Sequence, residues 1–274
     1  MVRTIGLIAI KGGVGKTTLS ASLAADLANR LGKKVLLVDA NYSAPNLGLH
    51  MDIIEPVKTI HDVLAGKAQM LSAIHKRYGV DVIPGSYFYE KGLNPLKLKS
   101  RIDLIKKDYD FVIIDSSPSL NDELLSAMIA SDNLFVITTP DYPTLSCSLR
   151  AAKTAKQKGK PVTGIIINKI REPKYELHLE EIEKALEIPV VAKIPDDKTN
   201  VKALFTRIPV TLFNPKSPFA KEIARFSDAL AGNQEKVSWL KKLFSSMLGK
   251  EQINRQLMRD KFYKSIFSQK SEKK

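Results

Sequence analysis

The chain contains a single cysteine, Cys147, in 274 residues. That excludes a disulfide framework, and it leaves no thiolate pair for an iron–sulfur cluster or a zinc bridge. Histidine is scarce as well. His50, His61, His75 and His178 show no ligand spacing with other metal-binding residues, so packed or solvated roles are expected for all four. Long apolar runs are missing: none approaches the ~18 to 20 residues of a membrane span. Met1 to Ile10 is too short for a signal peptide, and a cytoplasmic location is expected, with room for peripheral contact on the inner face of the cell membrane. Internal repeats are absent. Trp239 is the only tryptophan.

What the chain has in excess is positive charge, unevenly placed. The net charge is +14, and residues 233–274 hold eleven Lys or Arg against four Asp or Glu. A basic tail of this kind seeks an acidic partner, either anionic lipid or nucleic acid.

Apolar, β-branched runs alternate with helical patterns through most of the length. Buried strands are expected at 4–10, 34–38, 80–83, 111–114, 134–138, 162–167 and 190–194. Helices are expected at 17–31, 59–64, 96–107, 121–130, 144–158, 176–186, 199–206 and 218–230. Strands that are continuously apolar, each followed by a helix, imply a mainly parallel α/β sheet, doubly wound, with helices on both faces. Ala231-Gly232-Asn233 reads as a stop, and we place the domain boundary there, giving a body of 1–232. Tyr87-Phe88-Tyr89 is an aromatic trio in an expected loop, where local packing is the simpler role.

The most informative segment is Lys11-Gly12-Gly13-Val14-Gly15-Lys16-Thr17-Thr18, which follows the first apolar run. Glycines let backbone N–H groups converge on phosphate oxygens, and a helix N-terminus adds a favourable dipole. Lys16 is placed to neutralise β/γ-phosphate charge, and the Thr17 hydroxyl to ligate Mg²⁺. A dinucleotide turn is the competing reading of Gly13-x-Gly15 with Asp39 downstream. The phosphate loop is favoured over it because Thr18 stands where a third glycine belongs and Lys16-Thr17 would have no role in a dinucleotide turn. The pattern departs from the ordinary phosphate loop at one place, with Ile10 where its first glycine would be.

The form K-G-G-x-G-K-T resembles the deviant phosphate loop of the MinD/ParA family of dimerising ATPases. The resemblance covers about residues 1–249 and implies ATP and Mg²⁺ as cofactors. It also implies that Lys11 reaches across a nucleotide-sandwich homodimer to the partner's phosphates. Asp39 ends the run Val35–Val38 and Asp115 ends Phe111–Ile114. Two carboxylates at the carboxyl ends of buried strands suit water-mediated Mg²⁺ binding, and the family assigns them to its first switch and to Walker B with the second switch. Asn168 closes Gly164–Ile167; an amide there can donate to an adenine ring nitrogen and accept from the N6 amine. Arg171, at the position of a guanine-reading carboxylate, cannot accept a hydrogen bond, so ATP is favoured over GTP. The resemblance places Pro195 and Asp196 over the base.

Two departures stand out. The family's second switch aspartate is here Asn41, which can orient a water but is not a base, so slow hydrolysis is expected. Ser117 stands where the family carries the first proline of Asp-x-Pro-Pro.

In the tail, helical spacing over 237–249 puts Trp239, Leu240, Leu243, Phe244, Met247 and Leu248 on one half of the surface. Lys241, Lys242 and three serines fall on the other. This suits a helix lying in a membrane interface and looks like the MinD membrane-targeting helix; a helix docked on the domain would bury the same side chains. Complete burial is worth ~1.5 to 3 kcal/mol for each large apolar side chain, and each nearby lysine adds roughly 1 kcal/mol on an anionic surface. Two such helices on a dimer bind with far higher avidity than one. Residues 250–274 form a basic tail, helical or disordered, whose role the sequence leaves open. The expected output is an ATPase that positions an unidentified partner or regulatory protein complex at a membrane. The alternatives are a ParA-like DNA-binding partition ATPase and a nucleotide-sensing scaffold with little hydrolysis.

Overall fold

The computed structural model describes residues 3–89 and 93–232. The amphipathic stretch 237–249 and the tail 250–274 lie outside them. Eight strands form one sheet: β1 (Arg3–Ile8), β2 (Val35–Ala40), β3 (His75–Arg77), β4 (Val80–Ile83), β5 (Phe111–Ser116), β6 (Asn133–Thr138), β7 (Val162–Ile170) and β8 (Val190–Pro195). Their order is β3-β4-β2-β5-β1-β6-β7-β8, parallel throughout except for the antiparallel β3–β4 pair. Among the described residues ten α-helices accompany them: α1 (Lys16–Asn29), α2 (Leu47–His50), α3 (Ile60–Leu64), α4 (Leu98–Ile105), α5 (Asp122–Ala130), α6 (Tyr142–Gln157), α7 (Leu179–Leu186), α8 (Thr199–Thr206), α9 (Val210–Phe213) and α10 (Pro218–Ala231). This is the doubly wound, mainly parallel α/β fold that the alternation implies.

Side chains alternate across the strands, and both faces are covered. From β2, Val35 and Leu37 enter a core shared with α1 and α10. Leu36, Val38 and Ala40 enter another, with α3, α4 and α5. A third core joins β6 and β7 to α6 and α7. A strand buried on both sides must be apolar at every position, which is why these runs do not alternate.

Differences from expectation are small and local. Strand β3 carries His75, Lys76 and Arg77 on the sheet edge, and neither its length nor its composition signals a strand. Helices α2 and α9 have four residues each, too few to show a period. The first strand stops at Ile8 because residues 9–15 turn into the phosphate loop.

β1 sits between β5 and β6, so the chain crosses to one side of it for β2 and to the other for β6. The carboxyl ends around that reversal open the crevice where α/β sheets bind ligands.

Candidate nucleotide site

The loop from β1 to α1 is shaped by its glycines. Gly13 and Gly15 have φ of +77° and +88°, the left-handed region that a side chain disfavours. A Cβ on Gly15 would lie 2.4 Å from Asn168 Nδ2, so that position also needs close approach. Gly15 precedes α1, and no side chain caps that helix. By contrast, α5, α6 and α10 are capped by Asn121, Asp141 and Ser217, respectively. The open N–H groups of α1 are what a phosphate would accept. Gly12 is exposed, Val14 is buried and Thr18 is half-buried in the first turn.

Lys16 is 7% exposed, and its Nζ stands 3.5 Å from Asp115 Oδ1. The Ser20 hydroxyl donates to the same oxygen at 2.9 Å. Asp115 is fully buried, and its Oδ2 has no hydrogen-bond partner. An idle buried carboxylate oxygen is costly, and a metal-bound water fits it. Asp39 and Asp115 are register partners on neighbouring strands. Burial first, then the Asp115 charge, pushes the Asp39 pKa up to about 7, against the N–H bonds of Asn41 and Leu47 and the Lys16 charge. A dication between these carboxylates would relieve that repulsion. The Thr17 hydroxyl, 8% exposed, donates to Asn46 Oδ1 at 3.1 Å, leaving its own lone pairs for a metal. Donor set and idle acceptor together fit Mg²⁺ held by Thr17 and, through water, by Asp39 and Asp115.

At the base end, Asn168 also braces the phosphate loop. Asn168 Nδ2 donates to the Val14 carbonyl at 2.7 Å, and Oδ1 is buried without a partner. One amide hydrogen is thus committed to the loop, and the second hydrogen and the free oxygen remain for a base. Asp196 is hydrogen-bonded through its backbone N–H to the Ile170 carbonyl at 2.8 Å, and Pro195 pairs with Ile170. The Arg171 guanidinium donates to Asp196 Oδ2 at 2.5 Å.

Lys11 makes its contacts on a different element. Its Nζ donates to Thr144 Oγ1 at 2.8 Å and stands 3.5 Å from Asp141 Oδ1, at the start of α6. Asn41 is 5% exposed and turned into its own loop, with Nδ2 donating to the Ala44 carbonyl at 2.5 Å. Ser117 supports the start of α5, because its hydroxyl donates at 3.0 Å to Asn121 Oδ1, the cap of that helix.

Sequence reasoning missed Ser20 and Asn46. Ser20 carries a weak signal, one helical turn beyond Lys16; Asn46 carries none, because its meeting with Thr17 is a tertiary contact. Among the described residues no group of three His, Cys, Asp or Glu could hold a metal by itself. Among the histidines, His61 is packed, His75 bonds the Lys58 carbonyl, and the His178 N–H bonds Glu181. The aromatic trio does not pack as a unit. Tyr89 lies against the His61 ring with centroids 4.2 Å apart, but Phe88 is 95% exposed.

A family model described as an AAA domain matches residues 2–158. An uncharacterized ATP-binding protein of Methanocaldococcus jannaschii is 34% identical over 260 residues, covering 91% of this chain and 98% of the relative. The septum site-determining protein MinD of Pyrococcus horikoshii, solved as a complex with Mg-ADP, superimposes with a TM-score of 0.79. It is 30% identical, over 86% of this chain and all of that one. A MinC:MinD cell division protein complex of Aquifex aeolicus gives 0.77 at 26% identity, over 84% and 96% of the two chains. With ATP and Mg²⁺ as its cofactors, the chain is a P-loop ATPase of the MinD/ParA family.

Proposed function

We propose that this chain is an ATP-dependent dimerising ATPase of MinD type, attached to membrane through 237–249 and positioning a partner protein complex there. The observation that carries the reading is Lys11. It is held at the rim of the phosphate loop on Thr144 and Asp141, 42% exposed, while Lys16 already serves the buried carboxylates. A second loop lysine facing outward suits a ligand presented by another protomer.

In this reading Gly12 to Thr18 hold the phosphates and Lys16 neutralises them. Thr17, Asp39 and Asp115 organise Mg²⁺ and its waters. Asn168 accepts from adenine, with Pro195 and Asp196 beside the base. Phosphoryl transfer rests on positioning and charge, so catalysis survives without a base at position 41, slowly. A complex between MinC and MinD in a relative supports a protein partner in general. Among the described residues no helix is long and apolar enough to cross a membrane, which agrees with a peripheral attachment.

The test is co-sedimentation of the full chain with anionic liposomes and with duplex DNA, with and without ATP, beside a chain ending at Gly232. Liposome binding that needs both ATP and residues 233–274 is expected. DNA binding that ignores ATP, with no liposome binding, would overturn the membrane assignment in favour of a partition ATPase.

One observation favours a second reading, a nucleotide-sensing scaffold. The Asn41 amide is turned into its own loop by its bond to the Ala44 carbonyl, and position 41 offers no base to an attacking water.

A further inference from the structure

On the side of the loop away from α1 lies a polar cluster that the nucleotide reading does not use. Tyr42 packs into the core that holds Val38 and Ala40. Its hydroxyl stands 3.5 Å from Ser126 Oγ, and Ser126 Oγ donates to the Glu123 carbonyl at 2.7 Å. The Ser43 hydroxyl donates to Glu123 Oε1. Two of these residues belong to the loop after Asp39, and two belong to α5, the helix that follows Asp115.

Glu123 is the unusual member. It is 8% exposed, and its Oε2 is buried with no partner. Half its acceptor capacity is idle at a desolvation cost, and an apolar side chain of that size would pack more cheaply. What the carboxylate can do, and an apolar group cannot, is hold Ser43, an exposed residue with little apolar surface to anchor it. Ser43 sits mid-loop. On one side the Asn41 N–H bonds Asp39 Oδ1. On the other, Asn46 meets Thr17 and the Leu47 N–H bonds Asp39 Oδ2.

We infer that Glu123 is a positioning residue: through Ser43 it couples the loop after Asp39 to the helix after Asp115. The two acidic strand ends, and Thr17 with them, then keep one geometry around the metal. The inference rests on the ATPase reading of the site.

The test compares the full chain with Ser43→Ala, Glu123→Ala and the double variant. Hydrogen–deuterium exchange over 41–47 reads the joint directly in the nucleotide-free chain, and single-turnover hydrolysis with Mg²⁺ reads its consequence. Each single change is expected to speed exchange over 41–47 and to lower the turnover rate about tenfold, a small misplacement being enough for that. Affinity for Mg-ADP is expected to stay within about twofold, and the double variant to be no worse than Glu123→Ala, because the two side chains form one interaction. A purely structural role would not give that split or that non-additivity. Unchanged exchange in both variants, or rate losses that multiply in the double variant, would overturn the joint. If the parent turned over no ATP, the ATPase reading would fall, and exchange would still decide the joint. Should Glu123→Ala not fold, Ser43→Ala at its exposed position decides alone.

Discussion

Asn168 gives one amide N–H to the Val14 carbonyl at 2.7 Å, so this end of β7 is locked to the phosphate loop. The Asn168 oxygen has no partner, and it accepts. Adenine offers an amine to an acceptor, whereas guanine offers a carbonyl that repels it. Asn168→Ala is expected to weaken ATP binding about tenfold, near the ~1 to 1.5 kcal/mol of one hydrogen bond, and to narrow the preference over GTP. Titration with purine riboside triphosphate, which lacks the N6 amine, checks the cause. Its affinity should be no lower for the variant than for the parent.

Lys11 has a resting place on Thr144 and Asp141. Lys11→Ala is expected to abolish ATP-dependent pairing, read by light scattering on a sizing column. Thr144→Val removes the shorter contact while leaving the Asp141 cap on the Thr144 N–H. Because a hydrogen bond of this kind is worth ~0.5 to 1.5 kcal/mol net, the ATP concentration for half-pairing should fall by up to about tenfold. A Lys11→Ala chain that pairs like its parent removes the bridging role.

Asn41→Asp replaces a donor to the Ala44 carbonyl with an acceptor that the carbonyl repels. The carboxylate is expected to leave the loop and raise the single-turnover rate by at least about tenfold, within the range of general-base catalysis. Fast hydrolysis by the parent, unaltered by the change, counts against the role given to position 41.

Gly15→Ala meets both a φ of +88° and a Cβ position 2.4 Å from Asn168 Nδ2. Strain and the displaced amide together should cost about 1 to 3 kcal/mol of stability, with Mg-ADP binding lost in calorimetry. Retained binding would show that the loop tolerates a side chain there.

The His61 ring bonds the Tyr42 carbonyl through Nε2 and accepts the Ser86 N–H at Nδ1. Burial holds its pKa below the usual value, outweighing the Tyr42 carbonyl and the Asp62 and Glu123 charges. The unfolded chain then takes up the proton first, so the stability contribution is full above about pH 6.5 and is lost as pH falls toward the folded pKa. His61→Phe keeps a ring against Tyr89 and removes the titration. The stability advantage of the parent over the variant, from urea unfolding, should shrink between about pH 7 and pH 5. A constant difference would show that His61 does not titrate in that window.

The alternation of apolar runs with helical patterns revealed the architecture because both faces of a parallel sheet are covered, and that coverage leaves β2 and β5 apolar at every position before Asp39 and Asp115. The glycine spacing located the phosphate loop because only glycine readily reaches the φ that Gly13 and Gly15 adopt. Short elements such as β3, α2 and α9 were illegible, since three or four residues carry no period. Phe88 shows the same limit from the other side: composition suggests burial, and only the fold shows that ring in solvent.

Which residues are candidates for phosphate, metal and base was legible along the chain, because residue chemistry and strand ends are local properties. How those residues meet came from the assembled fold: Asn168 gives one amide hydrogen to Val14, Asp115 keeps one oxygen idle, and Glu123 reaches Ser43. The two pairings join positions 80 or more residues apart, with no pattern along the chain to mark them. A hydrogen bond depends on where two atoms arrive once the sheet is built, and that is a property of the packing.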